Sequence, residues 1–178
     1  PNTGVANTFG WGNMPEYGIP NCMTADGPAG LRIAPECGVT TTAWPCATLL
    51  AATWNPNVVY QVGAAGGKEV KENNIAAWLT PALNIHRSPL CGRNFEYYSE
   101  DPLLAGVLAG AMVKGIQSQG VAATVKHFAL NNKETDRKHS DSRVSERAAR
   151  EIYLKAFEYV IKGAKPWAVM SSYNIING

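Results

Sequence analysis

Short apolar runs and helical patterns alternate along most of the chain. Three stretches that open on apolar residues predict strands buried on both faces, and they are residues 75–85 (IAAWLTPALNI), 121–128 (VAATVKHF) and 167–174 (WAVMSSYN). A shorter first strand is expected around residues 19–25. Pro81 lies inside the second run and indicates that this strand is irregular or short, because proline cannot donate a ladder hydrogen bond.

Three helical stretches lie between these runs. Residues 46–73 predict a helix in two pieces, broken near WNPN, because Pro56 in a helix interior would remove a hydrogen bond. The stretch SEDPLLAGVLAGAMVKGIQSQG has Ser99 or Asp101 as its cap and a proline in its first turn. The third helix follows the cap Ser145, and its apolar face comprises Ala148, Ile152, Ala156, Val160 and Ile161.

The order of these elements predicts the fold class. Strands and helices alternate and end on a fourth strand, which is typical of an α/β parallel sheet with right-handed crossovers. Four strands and three helices fit half of an eight-stranded barrel or a small open doubly wound sheet, and periodicity alone does not choose between them. No GxGxxG or GxxxxGK[ST] sequence opens any of the helices, and we interpret GAAGG at 63–67 as close helix packing.

Composition and charge exclude several classes of partner. With 178 residues, 46% of them hydrophobic and 17% charged, the chain is long enough for one domain with a sizeable core. The net charge is +2 and the basic residues are scattered, apart from the mixed-sign stretch 133–150, so nucleic acid is not an expected partner. No window approaches the roughly 20 apolar residues of a membrane helix, so no membrane partner is expected. The tryptophans expected in the core are Trp44, Trp54, Trp78 and Trp167.

The four cysteines are irregularly spaced and include no CxxC pair. They are too few for a disulfide framework in a chain of this size, so free and mostly buried thiols are expected. Free thiols favour a cytoplasmic location. The chain opens on Pro1 and closes on Gly178, and we interpret both ends as cut.

Polar residues that do not fit a core cluster at the predicted strand ends. They are Asp26 and Arg32 after the first strand, Arg93 and Glu96 after the second, Lys126 and His127 at the end of the third, and Ser171, Ser172 and Tyr173 at the end of the fourth. The carboxyl ends of parallel barrel strands open on one face, so these side chains are expected to define a mouth. A carboxylate acceptor among several charged donors suits a neutral ligand with many hydroxyls better than a phosphate.

Several of these residues also have purely structural interpretations. The Asp-Gly-Pro sequence at Asp26 is good turn chemistry in any protein, and a Lys-His pair is compatible with a solvated strand end. Arg93 and Glu96 are spaced for an ion pair between loop and helix, which we favour for Glu96 while assigning Arg93 to the ligand. His86 and Cys91 lack the spacing of a metal site, so no metal is expected.

Five blocks of sequence resemble those of one enzyme family. TADGPAGLR, GRNFEYYSEDP, KHFALNNKETDR, VSERAAREIYLKAFE and VMSSYNIING look like the successive motifs of the first domain of glycoside hydrolase family 3, in the order of that family. The resemblance covers the chain from about residue 9 to its end. A lone KH pair would carry no information, whereas five ordered blocks are a specific signal.

The resemblance implies a fold, a reaction and a set of binding residues. The fold would be part of a TIM-like (β/α)8 barrel, and the reaction would be retaining hydrolysis of β-glycosides through a covalent glycosyl intermediate, without a cofactor. The substrate-binding residues would be Asp26, Arg32, Arg93, Lys126, His127, Arg137, Met170 and Tyr173. Asp26 would accept hydrogen bonds from the sugar hydroxyls, and Arg32 would orient its neighbours.

The KHF block carries two further implications of the resemblance. It continues with ALNN at 129–132 rather than with Pro-Gly-His-Gly, which indicates a glucosidase or xylosidase type rather than an N-acetylglucosaminidase. We therefore expect a β-glucosidase that acts on a β-glucoside or a small oligosaccharide. The family also implies a cis peptide bond at Lys126–His127 or Phe128–Ala129.

Neither catalytic carboxyl group is assigned within this chain. In the family the nucleophile is an aspartate in a Ser-Asp-Trp type of segment one strand beyond VMSSYN, and the acid/base comes later still, so both are expected beyond Gly178. We therefore interpret residues 1–178 as a single incomplete domain, the N-terminal part of a catalytic barrel that is inactive by itself. The alternative is a non-catalytic sugar-binding or structural half-barrel. The exposed edges of half a barrel also predict self-association.

Overall fold

The computed structural model describes residues 14–19 and 22–178. Its strands in chain order are β1 (Thr24–Ala25), β2 (Ala77–Trp78), β3 (Ala122–Phe128), β4 (Asp141–Ser142), β5 (Ala168–Ser171) and β6 (Ile175–Ile176). One parallel sheet contains β1, β2, β3 and β5 in that spatial order, and β4 pairs in parallel with β6. The main strands follow the order of the chain across the sheet, without the reversal of a doubly wound sheet. The alternation is therefore that of a partial (β/α)8-like barrel.

The strands are shorter than the apolar runs that predict them. Within the run 75–85 only two residues are strand, and beyond the cis Thr80–Pro81 bond an isolated bridge joins Ala82 to Lys126. The predicted first strand is confined to two residues, while positions 20 and 21 of that prediction lie outside the described residues. The irregularity expected from Pro81 is confirmed.

The helices begin and end where the local signals indicate. They are α1 (Ala47–Ala52), α2 (Pro56–Glu72), α3 (Pro102–Gln117), α4 (Glu146–Ala148) and α5 (Lys155–Ala164), and a π-helical turn spans Ala149–Tyr153 between the last two. Short 3-10 turns cover Pro15–Tyr17, Pro35–Cys37 and Asn94–Glu96. Asn55 caps α2, Asp101 caps α3 and Ser145 caps α4, each by accepting backbone N–H groups through its side chain. The predicted break before Pro56 and the predicted caps Asp101 and Ser145 are confirmed.

Glycines allow α2 and α3 to pack closely. A Cβ atom on Gly63 would lie 2.7 Å from the carbonyl oxygen of Met112, and one on Gly115 would lie 2.3 Å from the carbonyl oxygen of Tyr60. A Cβ on Gly67 would lie 3.0 Å from Cα of Ile116. The interpretation of GAAGG as a packing sequence is confirmed.

The π-helical turn changes which residues of the last helical segment face the core. Ala156, Phe157 and Val160 are buried, whereas Ile152 and Ile161, expected on the same face, are 37% and 42% exposed. A π turn holds one more residue than an α turn, so it rotates the residues within and before it relative to those that follow. A prediction that assumed a regular period of 3.6 residues was therefore wrong at these two isoleucines.

The predicted burial was wrong for two tryptophans and for most of the cysteines. Trp78 is buried, but Trp54 and Trp167 are 73% and 61% exposed, because both lie in turns between elements rather than on an inward face. All four cysteines are free, as expected, yet of these only Cys91 is buried. Within the described residues, no helix combines the length and the apolar character that a membrane span requires.

Candidate functional site

The eight residues singled out from the motifs line one open cavity of about 1150 Å³ at the carboxyl ends of the sheet strands. They are Asp26, Arg32, Arg93, Lys126, His127, Arg137, Met170 and Tyr173. Four consecutive strand ends deliver them, because all four strands run in the same direction. The structure therefore brings the whole set together, and its role in binding stays a prediction.

Asp26 follows β1 directly and is held by a tight turn. The backbone N–H of Arg32 donates to the carbonyl of Asp26, and Gly27 has a φ of +112°, a conformation that side-chain-bearing residues rarely adopt. A Cβ on Gly27 would lie 1.6 Å from the carbonyl oxygen of Gly30. The turn thus requires glycine, and Nη2 of Arg32 donates to Oδ2 of Asp26 at 2.8 Å.

Lys126 lies in β3 with a side chain that is 2% exposed. Its ammonium is 3.5 Å from Oδ1 of Asp26 and 3.7 Å from Oε2 of Glu96. Burial lowers the pKa of Lys126, while the two carboxylates act in the opposite direction. The structure thus places a buried cation between two anions at the wall of the cavity.

Glu96 pairs with Arg93 through a short contact between Oε1 and Nε, which confirms the expected ion pair. The same carboxylate also contacts Lys126, so Glu96 connects two cations rather than a loop and a helix alone. Burial works to lower the pKa of Arg93, but the contact with Glu96 outweighs it and the net shift is upward. Arg93 therefore remains a fixed, charged donor.

Arg137 reaches the cavity from the loop that follows β3. Its Nη1 donates to Oε2 of Glu134 at 3.0 Å, and its guanidinium lies 5.1 Å from the centre of the Tyr173 ring. Glu134 also lies 3.9 Å from Nη1 of Arg93. Glu134 thus links two arginines of the cavity wall, and Tyr173 supports one of them by a cation–π contact.

His127 follows Lys126 in β3 and is 5% exposed. Its backbone N–H and C=O both bond the side chain of Asn84, each at 3.0 Å, and its ring packs edge-on against Tyr97. Burial lowers the pKa of His127 to about 2, and the nearby Arg93 and other cations add to the shift. The imidazole is therefore neutral at physiological pH. The two peptide bonds Lys126–His127 and Phe128–Ala129 are both cis, as the resemblance implied.

Sequence reasoning missed Asn84 and Glu134. Asn84 is an isolated amide in an otherwise apolar run, and a buried polar side chain of that kind calls for a specific partner, which is a usable signal. Glu134 precedes its partner Arg137 by three residues, which the sequence could suggest. Its second partner, Arg93, is brought near only by the tertiary structure. Within the described residues, no cluster of three or more histidine, cysteine or acidic side chains could hold a metal.

The electrostatic balance of the cavity wall is close to neutral. Four lining cations, Arg32, Arg93, Lys126 and Arg137, stand against two lining carboxylates, Asp26 and Glu96, while the carboxylate of Glu134 contacts two of the arginines. Charged donors and an accepting carboxylate alternate, whereas an anion site would present donors alone. Such a wall is suited to a ligand with many hydroxyl groups and no net charge.

Fold and cavity together define a TIM-barrel type of α/β domain with a polar pocket at the carboxyl ends of its strands. Residues 13–178 match the family model described as the glycosyl hydrolase family 3 N terminal domain. The chain belongs to this family.

Curated relatives agree with this assignment. The chain is 70% identical over 178 residues to beta-glucosidase A of Butyrivibrio fibrisolvens, with all of this chain and 21% of the relative covered. It is 49% identical over 170 residues to an exo-alpha-(1->6)-L-arabinopyranosidase of Bifidobacterium longum, with 90% of this chain and 22% of the relative covered. The chain thus spans about a fifth of the length of these relatives.

Solved structures of similar proteins have the same fold. Beta-glucosidase 3B of Thermotoga neapolitana in complex with glucose superimposes with a TM-score of 0.90 at 54% identity, over 94% of this chain and 24% of that chain. A beta-glucosidase from Paenibacillus barengoltzii gives a TM-score of 0.89 at 51% identity, over 92% of this chain and 18% of that chain.

Proposed function

We propose that this chain supplies most of the sugar-binding subsite of a retaining β-glucosidase that removes terminal β-linked glucosyl residues. The observation that carries the proposal is the convergence of Asp26, Arg93, Lys126 and His127 on one cavity. The family assignment supports it, as do the solved complex of a similar beta-glucosidase with glucose and the β-glucosidase names of several relatives.

Each of these residues has a specific role in the proposed subsite. Asp26 accepts hydrogen bonds from sugar hydroxyls, and Arg32, at 2.8 Å, holds its carboxylate in position. Arg93 and Lys126 donate to ring hydroxyls, and both are restrained by Glu96. Arg137, Met170 and Tyr173 complete the wall. These contacts strengthen as the ring flattens toward an oxocarbenium-like transition state, which favours the reaction over mere binding.

The two carboxyl groups that retaining hydrolysis needs are proposed to come from segments other than 1–178. Such a pair stands about 5 to 5.5 Å apart, with one group free to attack the anomeric carbon and the other able to carry a proton. Asp26, Glu96 and Glu134 each contact at least one cation within 4 Å, so their oxygens are engaged in ion pairs that suit them to binding. Residues 1–178 then form one incomplete domain, the N-terminal part of a catalytic barrel.

Calorimetric titration with glucose and with gluconolactone tests the subsite. In the full-length protein that carries this chain, Asp26→Asn is expected to weaken binding at least tenfold, because a hydrogen bond to a charged acceptor is worth about 1.5 to 3 kcal/mol. Asp136→Asn is the matched control, since that carboxylate bonds the exposed His139 and does not line the cavity. Equal affinity in Asp26→Asn and the parent protein would remove Asp26 from the subsite.

Hydrolysis of an aryl β-glucoside separates the enzyme from its alternative. Turnover by the full-length protein and none by the isolated chain is the expected result. Sugar binding without turnover in the full-length protein would favour a non-catalytic sugar-binding half-barrel. Turnover by the isolated 178-residue chain, free of host glucosidase, would place the catalytic carboxyl groups within it and contradict the proposal.

A further inference from the structure

The side chain of Asn84 holds His127 by three contacts. Nδ2 of Asn84 donates to the carbonyl oxygen of His127 at 3.0 Å, and Oδ1 accepts from the backbone N–H of His127 at 3.0 Å. The same Oδ1 lies 3.3 Å from Nδ1 of the imidazole ring. Asn84 is 3% exposed and His127 is 5% exposed, so water does not compete for these groups.

The backbone of His127 fixes the orientation of the amide. A carbonyl oxygen only accepts and a backbone N–H only donates. The amide nitrogen of Asn84 must therefore face the carbonyl oxygen of His127, and the amide oxygen must face its backbone N–H. The flip ambiguity of asparagine side chains is thereby removed. An amide oxygen cannot donate, so the contact with Nδ1 is a hydrogen bond only when Nδ1 carries the ring proton.

The imidazole holds a single proton. Its burial, together with the positive charges of Arg93, Lys126 and Arg137, lowers the pKa of His127 far below physiological pH. The acidic groups near those cations are Asp26, Glu96 and Glu134, which pair with the cations. With the proton on Nδ1, Nε2 carries a lone pair, and no described residue forms a hydrogen bond with that atom.

We propose that Asn84 is a positioning residue that fixes the Nδ1–H tautomer of His127, so that Nε2 is a hydrogen-bond acceptor at the cavity wall and selects a ligand hydroxyl that donates to it. The identity of the ligand rests on the proposed sugar-binding function. The tautomer itself rests on the contacts between Asn84 and His127 and on the burial that keeps the imidazole neutral.

The neighbours of His127 make this acceptor distinctive. Arg93, Lys126 and Arg137 can only donate, so a hydroxyl next to them needs only to accept. A hydroxyl shared by Lys126 and His127 must accept from the ammonium and donate to Nε2 at the same time. Fluorine at that position of the sugar can accept weakly but cannot donate, so it fails to replace the hydroxyl.

Glucose analogues that lack one hydroxyl, or carry fluorine in its place, test this requirement by calorimetry on the full-length protein. At the position served by Nε2, the fluoro and the deoxy sugar are both expected to bind about tenfold more weakly than glucose. In Asn84→Ala the ring can adopt either tautomer, so the affinity for glucose falls while that for the fluoro sugar stays close to its value in the parent protein. Asn73→Ala is the matched control, because that amide bonds the carbonyl of Glu69 at the end of α2.

Histidine 15N chemical shifts report the tautomer without any ligand. We expect a protonated Nδ1 and an unprotonated Nε2 for His127. The resonances of His127 are identified as those that disappear in His127→Gln. A proton on Nε2 would overturn the proposal, whether or not Asn84→Ala folds. Fluoro sugars that bind as well as glucose at every position would also overturn it, while leaving the sugar-binding function intact. If glucose itself does not bind, the proposed function fails, and the nitrogen shifts still decide the tautomer.

Discussion

The carboxylate of Glu96 lies 3.7 Å from the ammonium of Lys126, and each of the two side chains is only 2% exposed. The same carboxylate contacts Nε of Arg93, and Asp26 lies on the other side of Lys126 at 3.5 Å. One buried anion therefore contacts two cations of the cavity wall, and Asp26 supplies the second negative charge. Removal of a single partner from such a buried set leaves a charge without compensation.

Glu96→Gln is expected to lower the free energy of unfolding by about 3 kcal/mol. It also removes an anion that raises the pKa of Lys126, so this pKa falls further. A lysine loses its charge as the pH rises through its pKa, and the alkaline limit of sugar binding therefore moves to lower pH. Calorimetric titrations with glucose across the pH range, together with urea unfolding, measure both effects.

Glu72→Gln is the control for that experiment. Glu72 is exposed and lies 3.8 Å from the exposed Lys68, so its loss should change the unfolding free energy by less than about 0.5 kcal/mol. The pH profile of binding should not move. An unchanged profile in Glu96→Gln as well would show that Glu96 does not support the charge of Lys126.

His127 is expected to destabilise the fold as the pH falls. Its pKa is lowered from 6.5 to about 2, so below pH 6.5 the unfolded chain binds a proton that the folded chain excludes. The free energy of unfolding then falls by at most about 1.4 kcal/mol per pH unit. His127→Gln should reduce this slope in urea unfolding between pH 6.5 and 4, whereas His139→Gln, at an exposed position, should not. Equal slopes in the three proteins would contradict a buried, neutral His127.

Local signals predicted most of the fold, and tertiary contacts account for what they missed. The break before Pro56 and the caps Asp101 and Ser145 depend on neighbouring residues in the chain, and all three were correct. The exposure of Ile152 was not predictable, because nothing in its local pattern announces a π turn.

The residues of the candidate site also fall into those that the sequence predicted and those that only tertiary contacts reveal. The motif residues were identified by type and position, and the parallel sheet brings them together. Asn84 and Glu134 were missed because their partners lie elsewhere in the chain. Asn84 meets His127 across 43 positions of sequence, and Glu134 connects Arg137 to Arg93. The distant partners of such residues are identified only once the strands are assembled.

The contact between α2 and α3 predicts opposite effects for two glycine substitutions. Gly115→Ala should lower the free energy of unfolding by about 3 kcal/mol, because its Cβ would lie 2.3 Å from a backbone oxygen. Gly163→Ala, in α5, should raise it by about 0.5 to 1 kcal/mol, because no atom outside the adjacent residues and the local helix backbone would lie within 4 Å of the added Cβ, and alanine favours helix. Thermal and urea unfolding measure both. A Gly115→Ala protein as stable as the parent would refute the close approach of the two helices.

The last strands of the chain carry an unusual amount of exposed apolar surface. Trp167, Val169 and Ile175 are 61%, 49% and 44% exposed, and among the described strands β5 pairs only with β3. An unpaired edge next to apolar side chains favours pairing with another copy. We therefore propose that the isolated chain self-associates through this surface, with a mass in light scattering that rises with concentration.

Val169→Lys should shift this equilibrium toward the single chain, because a lysine at a strand edge must be desolvated when a second edge pairs with it. Leu90→Lys is the matched control: Leu90 is 92% exposed but lies in the loop between β2 and α3, away from any strand edge in sequence. If exposed apolar area alone drove association, the control would act at least as strongly as Val169→Lys. Because pairing needs the strand edge itself, only Val169→Lys should reduce the mass measured by light scattering. A parent chain that remains a monodisperse monomer at all concentrations would exclude self-association.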